Sequence, residues 1–219
     1  MQTSELDCAI VAAISTARSL GLHADDAVVL QNSNKLALHL RPCDSFARVS
    51  PMAHQTAQFE IDVAARLAET GSPAASLDPR VPQTVHQDDG FTITFWTYYA
   101  SVTPEVAPSD FANALWSLHS SMRRIEIGAP HFTDRVAEAE HLVANPERTP
   151  DLKDADRAFL SALLKGLRQS IVDRGAAEQL LHGEPHAGNV LGTRLGPLFI
   201  DLETCCHGPI EFDLVARFI

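Results

Sequence analysis

The sequence has no apolar run approaching the roughly 20 residues that a membrane-spanning helix needs. Its beginning, MQTSELDCAIVAA, carries acidic rather than basic side chains, which is not the pattern of a secretory signal peptide. The four cysteines, at positions 8, 43, 205 and 206, show no CxxC spacing and predict no disulfide framework. We therefore expect a reduced, cytoplasmic protein without a membrane partner.

Positive charge is also scarce. The chain has 17 Lys and Arg residues against 28 Asp and Glu residues, and its net charge at pH 7 is -11. Binding to a phosphodiester backbone needs clustered basic side chains, so nucleic acid is excluded as an expected partner. An acidic surface instead attracts cationic small molecules.

Glycine is missing from residues 22–70. The turn QNSNK, residues 31–35, therefore cannot be a glycine-rich phosphate-binding loop. Any backbone contact with a phosphate at this turn has to come from its Asn and Ser residues.

The first half of the chain has the patterns of a sheet flanked by helices. Residues 5–20 have helical apolar spacing that ends at Gly21. Three strand-like runs follow at 27–31, 35–40 and 45–50 and predict an antiparallel meander. Helical spacing returns over 53–70, and the aromatic, β-branched run FTITFWTYY, residues 91–99, predicts a further strand.

The second half is predicted to be mainly helical. A helix is expected over 109–122, with Phe111, Leu115 and Leu118 on one face. The stretch 151–175 repeats apolar residues at steps of four, and we expect them to form a helical core: Phe159, Leu163, Leu167 and Ile171. Residues 131–150 have no pattern that assigns a structure.

The segment LLHGEPHAGNVLGTRLGPLFIDLET, residues 180–204, predicts a loop followed by a hairpin. Glu184 and Asn189 lie in the loop, five residues apart. Asp201 and Glu203 are expected at the end of the second strand, where alternation puts both side chains on one face. Several carboxylates placed together are costly unless a cation neutralises them, which favours a magnesium site.

The order of these residues matches the requirements of phosphoryl transfer. That reaction needs metal ions that hold the nucleotide phosphates and a carboxylate that orients the attacking hydroxyl. A kinase catalytic loop carries its carboxylate five residues before a metal-binding amide, and a second metal-binding carboxylate follows. Glu184, Asn189 and Asp201 have this order and spacing.

The runs HGEPHAGN (182–189), FIDLE (199–203) and GPIEFDL (208–214) resemble the signature of the aminoglycoside phosphotransferase and choline-kinase-like family. The resemblance implies an α/β (α+β), two-lobed protein-kinase-like fold. The N-lobe, residues 1–97, would hold an antiparallel sheet and helices, and the mainly helical C-lobe, residues 98–219, the catalytic loop and metal-binding hairpin. It also implies a small-molecule kinase that moves the γ-phosphate of ATP or GTP to a hydroxyl.

The resemblance also implies roles for individual residues. Glu184 would be the catalytic carboxylate, Asn189 and Asp201 would bind Mg²⁺, and Glu203 would lie beside them as a metal-binding or structural carboxylate. His182 would be structural, and Asp213 would brace the catalytic loop.

Weaker matches extend the resemblance upstream. FARVS, residues 46–50, is similar to the family's third strand, so Arg48 would touch the nucleotide phosphates and Glu60 would pair with it. The backbone of Trp96, Thr97 and Tyr98 would meet the edge of the nucleotide base. The acceptor would be an aminoglycoside-like antibiotic, with antibiotic resistance as the result, or a metabolite.

Two departures from the family pattern concern activity. The usual aspartate of the catalytic loop is Glu184 here, one methylene longer. The chain ends at Ile219, where family members usually continue with helices that build the acceptor pocket, so we expect a shortened C-lobe.

Three alternatives remain open at this point. A protein with this fold could bind nucleotide without transferring phosphate, or it could use the same carboxylates to activate water as a metal-dependent hydrolase. The pattern HxExH at 182–186 could also suggest zinc, but the adjacent Cys205 and Cys206 lack the PCxxC spacing of zinc deaminases. We expect both cysteines to be buried thiols.

Overall fold

The computed structural model describes residues 3–52, 56–102 and 106–215, with side chains from residue 5 onward. The chain forms two compact units. The first comprises residues 1–125 and 187–203, and the second comprises residues 126–186 and 204–219. The predicted lobe boundary after residue 97 stays a prediction. Within the described ranges, no helix has the length and apolar character needed to cross a membrane.

A five-stranded antiparallel sheet forms the centre of the first unit. In chain order its strands are β1 (Ala24–Asn32), β2 (Leu36–Pro42), β3 (Ser45–Pro51), β4 (His86–Asp88) and β5 (Phe91–Thr97). They lie in the order β1-β2-β3-β5-β4. The predicted meander and the strand near residue 91 are confirmed. The short β4 was not predicted, because its sequence HQD has no apolar alternation.

Helix α1 (Thr3–Ser19) packs on the sheet. The apolar residues that it buries are all alanines, at positions 9, 12, 13 and 17, and they share one core cluster with the inward leucines of β2. Alanine loses no side-chain rotamer freedom on burial and has the highest helix propensity, so this face favours both the helix and its packing.

Two further helices and a hairpin complete the first unit. They are α2 (Ala57–Ala68), α3 (Pro108–Met122), β7 (Val190–Thr193) and β8 (Gly196–Phe199), and the two strands pair antiparallel. The Phe199 N–H donates to the Pro73 carbonyl and the Phe199 carbonyl accepts from the Ala75 N–H, both at 2.8 Å. The Phe199 ring meets the edge of Phe111, with centroids 5.7 Å apart. These contacts fix the end of β8 in the unit that contains the sheet.

The second unit is mainly helical. Its elements are α4 (Phe132–Ala144), α5 (Asp154–Arg174), β6 (Glu178–Leu181), β9 (Cys206–Pro209) and α6 (Glu211–Val215). β6 and β9 pair antiparallel, and a small core forms from Phe132, Leu181 and Cys206 with Phe212 packed against it. Sequence analysis assigned no structure to the region that forms α4.

Helix α5 corrects one prediction. It was expected to supply core residues, but the structure buries none of its side chains, and Phe159 and Leu167 are 65% and 55% exposed. A spacing of four residues shows that side chains share one helical face. It does not show that another element covers that face.

We predict that two phenylalanines of the second unit differ sharply in their contribution to stability. Phe132→Ala should lower the free energy of unfolding by about 3–5 kcal/mol, because it opens a cavity in a packed core. Phe159→Ala makes the same chemical change at an exposed position and should cost much less. Urea denaturation of both variants measures the difference, and equal losses would contradict the exposure of the α5 face.

Candidate active site

Arg48 lies at the centre of the first unit's polar cluster. It stands on β3 between Ala47 and Val49, which are fully buried in the core, so alternation turns its side chain to the opposite face of the sheet. Its Nη1 donates a hydrogen bond to Glu60 Oε1, and its Nη2 donates to Asp201 Oδ1 at 2.7 Å. The predicted ion pair between Arg48 and Glu60 is therefore present, and it extends to Asp201.

Lys35 is a second cation in the same place. Its Nζ lies 2.5 Å from Glu203 Oε2 and 3.7 Å from Glu60 Oε2. Thr56 Oγ1 donates to the same Glu203 oxygen at 2.7 Å. Together Lys35, Arg48, Glu60, Asp201 and Glu203 form what we call the ion cluster, in which Glu60 contacts both cations.

Burial and charge act against each other in the ion cluster. Burial raises the pKa of the Glu60 carboxyl, and the charges of Arg48 and Lys35 oppose that rise. Burial also acts to raise the pKa of Glu203, but hydrogen bonds, the strongest from Lys35, bring it below its usual value. Burial acts to lower the pKa of Arg48, yet Glu60 and then Asp201 raise it. The carboxylates are tolerated at this depth because cations contact them.

Sequence analysis missed Lys35, although the sequence contains a signal for it. In KLALHL the three leucines face the core, so Lys35 and Ala37 face the other side of the sheet. Ala37 is the β2 partner of Arg48, and directly opposed residues share a face. The register between the two strands was needed to recognise that Lys35 lies on the side of Arg48.

Asn189 and Asp201 leave the same end of the β7–β8 hairpin. The Ile200 N–H donates to the Asn189 carbonyl at 3.0 Å, directly beyond the Val190–Phe199 pair. Asp201 has a φ of 67°, and a 3-10 turn over 202–204 follows it. The expectation that Asp201 and Glu203 alternate on a strand is thus wrong: β8 ends at Phe199, Asp201 is left-handed, and the turn that follows carries Glu203 to Lys35.

These oxygen donors fit a magnesium ion chemically. The amide of Asn189 and the carboxylate of Asp201 come from adjacent hairpin positions and are ligand types that Mg²⁺ prefers. Among the described side chains, no group of three or more His, Cys, Asp or Glu residues is arranged for a metal. The predicted metal-binding set of Asn189, Asp201 and Glu203 is not such a group, because one of its three ligands is the Asn189 amide. It stays a prediction.

The residues predicted to meet the nucleotide base lie at the C-terminal end of β5 and directly after it. The Trp96 side chain is buried, and its indole donates to Thr94 Oγ1 at 2.9 Å. The Thr97 N–H donates to the Ser76 carbonyl at 2.9 Å. The Tyr98 ring stacks on His39 with centroids 3.6 Å apart. The role of this backbone in base binding stays a prediction.

Glu184 belongs to the second unit, where Arg135 holds its side chain. Arg135 Nη1 donates to Glu184 Oε1 at 2.7 Å, and its Nη2 donates to the Thr204 carbonyl at 3.4 Å. A capping box formed by His131 and Asp134 starts α4 and fixes the turn that carries Arg135. No sequence pattern predicts this contact, because residues 131–150 lack a clear periodicity.

Backbone hydrogen bonds hold the loop around Glu184. The fully buried Asp213 accepts from the N–H groups of His182 and Gly183 at 2.9 and 2.8 Å, which confirms the predicted bracing role. Thr204 Oγ1 donates to the His182 carbonyl at 2.9 Å. The loop is thereby tied to two later parts of the chain, at Thr204 and at α6.

The two adjacent cysteines, Cys205 and Cys206, are buried thiols, as predicted. Burial raises the pKa of the Cys206 thiol to about 11, and the nearby Asp213 adds to the rise. The thiolate is the reactive form, so this thiol is chemically inert at neutral pH.

We predict that Gly183→Ala destabilises the second unit more than Gly175→Ala. Both glycines have positive φ, 88° and 58°, so each substitution carries the left-handed strain of roughly 1–2 kcal/mol. At Gly183 the new Cβ would also lie 2.1 Å from the Thr204 carbonyl oxygen, whereas at Gly175 it meets nothing within 4 Å. Thermal unfolding compares the variants, and equal shifts in Tm would refute the close approach.

A thiol-reactive disulfide should label the folded protein selectively. At pH 8 we expect reaction at the exposed Cys8 and the partly exposed Cys43. Cys206 should react only after unfolding, because a thiol with a pKa near 11 is thiolate in roughly one molecule in a thousand at that pH. Peptide mass spectrometry locates the label, and rapid modification of Cys206 in folded protein would count against its burial.

Comparison with solved structures shows the fold. Amicoumacin kinase, in complex with AMP-PNP, Ca²⁺ and Ami, aligns with a TM-score of 0.67 at 11% identity, over 99% of this chain and 71% of that one. Aminoglycoside phosphotransferase APH(3'')-Id from Streptomyces rimosus aligns at 0.61 and 17% identity, over 100% and 83% of the two chains. A choline/ethanolamine kinase family protein from Mesorhizobium loti gives 0.58 and 17%, over 99% and 70%. The fold is therefore kinase-like.

The family assignment comes from sequence. No curated protein sequence matches the chain. The profile of the phosphotransferase enzyme family, however, matches residues 31–216, a span that includes the ion cluster, the Glu184 loop and Asp213. Since this match covers most of the sequence, the chain belongs to the phosphotransferase enzyme family.

Proposed function

We propose that the protein transfers the γ-phosphate of ATP or GTP to a hydroxyl group of a small molecule. The observation that carries this proposal is the contact of Arg48 with both Glu60 and Asp201. It joins a strand, a helix and the hairpin end through charged side chains, where an apolar contact would have been less costly. A phosphate-binding site would explain why charged side chains are kept there despite the free-energy cost of burying them.

In this proposal the first unit binds the nucleotide. Arg48 contacts its phosphates, Asn189 and Asp201 hold Mg²⁺, and Glu203 lies beside them. The backbone of Trp96, Thr97 and Tyr98 meets the base. Bound Mg²⁺ would neutralise the charge of the phosphate oxygens.

The second unit supplies the group that acts on the acceptor. Glu184 accepts the proton of the attacking hydroxyl and orients its oxygen, and Arg135 fixes the direction of the Glu184 carboxylate. The additional methylene of Glu184, compared with the usual aspartate, makes such a positioning contact more important. A longer side chain has one more rotatable bond, and an error of about an ångström in position costs rate.

We propose an aminoglycoside-like antibiotic or a metabolite, of cationic character, as the acceptor. The net charge of -11 favours encounter with a cation. Neighbouring structures include a streptomycin and ATP complex of one phosphotransferase and a GDP and kanamycin complex of another, which supports this acceptor class and either nucleotide. Phosphorylation of an antibiotic in the cytoplasm would give resistance.

Calorimetric titration of ATP and GTP, with and without Mg²⁺, tests nucleotide binding. The wild-type protein should bind at least one nucleotide in a Mg²⁺-dependent manner, and Asp201→Asn should lose that dependence. Absence of binding by folded protein would refute the proposal. Binding without phosphorylation of any acceptor would favour a catalytically silent protein, and phosphate release without an acceptor would favour a hydrolase.

Glu184→Gln should lower acceptor phosphorylation by a factor of roughly 10²–10⁴, because it removes the base while the nucleotide site stays intact. Its matched control is Glu147→Gln, at an exposed position of the same unit, which should leave the rate unchanged. Radiolabelled phosphate transfer to kanamycin, streptomycin and choline measures the rate. Unchanged turnover in Glu184→Gln would remove Glu184 from the mechanism.

A further inference from the structure

Lys35 is an unusual residue for its position. It precedes β2 and is only 8% exposed, although a lysine is rarely buried without a specific reason. Its backbone is held in the turn, where the Lys35 N–H donates to the Asn34 side-chain oxygen at 3.0 Å and the Lys35 carbonyl accepts from the Ser33 N–H at 3.1 Å. The turn thus delivers a buried ammonium group to a fixed place.

The contacts of Lys35 repeat those of Arg48. Each cation lies between Glu60 and one carboxylate from the hairpin end: Arg48 with Asp201, and Lys35 with Glu203. The two oxygens of Glu60 are divided between them. The geometry that holds Arg48 in the proposed phosphate site therefore holds Lys35 as well.

Glu203 does not need Lys35 as its hydrogen-bond donor. Thr56 already donates to the same carboxylate oxygen, and it does so without a charge. Among the described residues, Glu203 takes one of the three ammonium hydrogens, and the 3.7 Å contact with Glu60 is longer than a hydrogen bond. Donor capacity therefore remains for an anion.

The formal charge of the ion cluster depends on Lys35. The ion cluster has two cations and three carboxylates, a formal charge of -1 when all are ionised. A bound divalent cation would bring that charge to +1, but without Lys35 the sum would be zero. Lys35 thus makes the metal-loaded cluster attractive to a polyphosphate.

We propose that Lys35 is a second phosphate-binding cation of the nucleotide site. It takes over the role that backbone N–H groups of a glycine-rich loop would otherwise have, since the chain has no glycine from 22 to 70. The ligand is the di- or triphosphate of a nucleotide, and the inference rests on the proposed function.

Binding of ATP, ADP and adenosine in excess Mg²⁺ tests this role. Lys35→Met should weaken ATP binding by about 10- to 100-fold, because a hydrogen bond to a charged group is lost, and should leave adenosine binding unchanged. Lys165→Met is the matched control, since Lys165 is exposed on α5, and it should bind ATP as the wild type does. A structural role would weaken adenosine binding equally.

A second variant and the wild type separate the outcomes. Lys35→Gln keeps a donor for Glu203 but lacks the charge, so it should show the same selective loss of ATP binding if Lys35→Met does not fold. Failure of both variants to fold, or ATP binding like that of the wild type, overturns the role of Lys35. Absence of ATP and GTP binding by the wild type would instead overturn the proposed function.

Discussion

The contact of Glu60 with two cations is the interaction on which the first unit's candidate site depends. Glu60 is 2% exposed and lies on a helix whose neighbouring inward residues are apolar. An unpaired carboxylate at that depth would be strongly destabilising, and the charges of Arg48 and Lys35 offset the cost of burying it. The cations in turn hold Asp201 and Glu203, and the Leu202 N–H donates to Glu60 at 3.2 Å. Removing the central carboxylate would leave both cations and the hairpin end without a common partner.

The two units hold their candidate residues by different means. In the first unit, side-chain charges determine where Arg48, Asp201 and Glu203 lie, and neutralisation is the organising requirement. In the second, the loop that carries Glu184 is fixed through its backbone by the buried Asp213, and only then does Arg135 orient the side chain. Backbone hydrogen bonds therefore fix the Glu184 loop, whereas ion pairs fix the candidate residues of the first unit.

Much of this arrangement could be predicted from sequence, because it follows from local patterns. Strand-like patterns located β1, β2, β3 and β5, and helical spacing located α1, α2 and α3. Motif spacing located the hairpin, and the resemblance to the family's third strand predicted the pair of Arg48 and Glu60. Other features depend on contacts between distant segments. Lys35 joins the cluster through strand register, and Arg135 reaches Glu184 from a helix without a clear pattern. Asp201 was expected at the end of a strand but has a left-handed conformation. Residue type alone does not determine a single dihedral angle, so the sequence could not predict it.

The apolar face of α5 has a consequence for the protein in solution. Phe159, Leu163, Leu167 and Ile171 present a hydrophobic stripe to water, and stripes of this kind promote association between molecules. What opposes association is electrostatic repulsion from the net charge of -11, and that repulsion fades as the pH falls toward the isoelectric point near 5.3. Colloidal stability of this chain is therefore a property of its acidic surface, and neutral to mildly alkaline buffers of low ionic strength preserve it best.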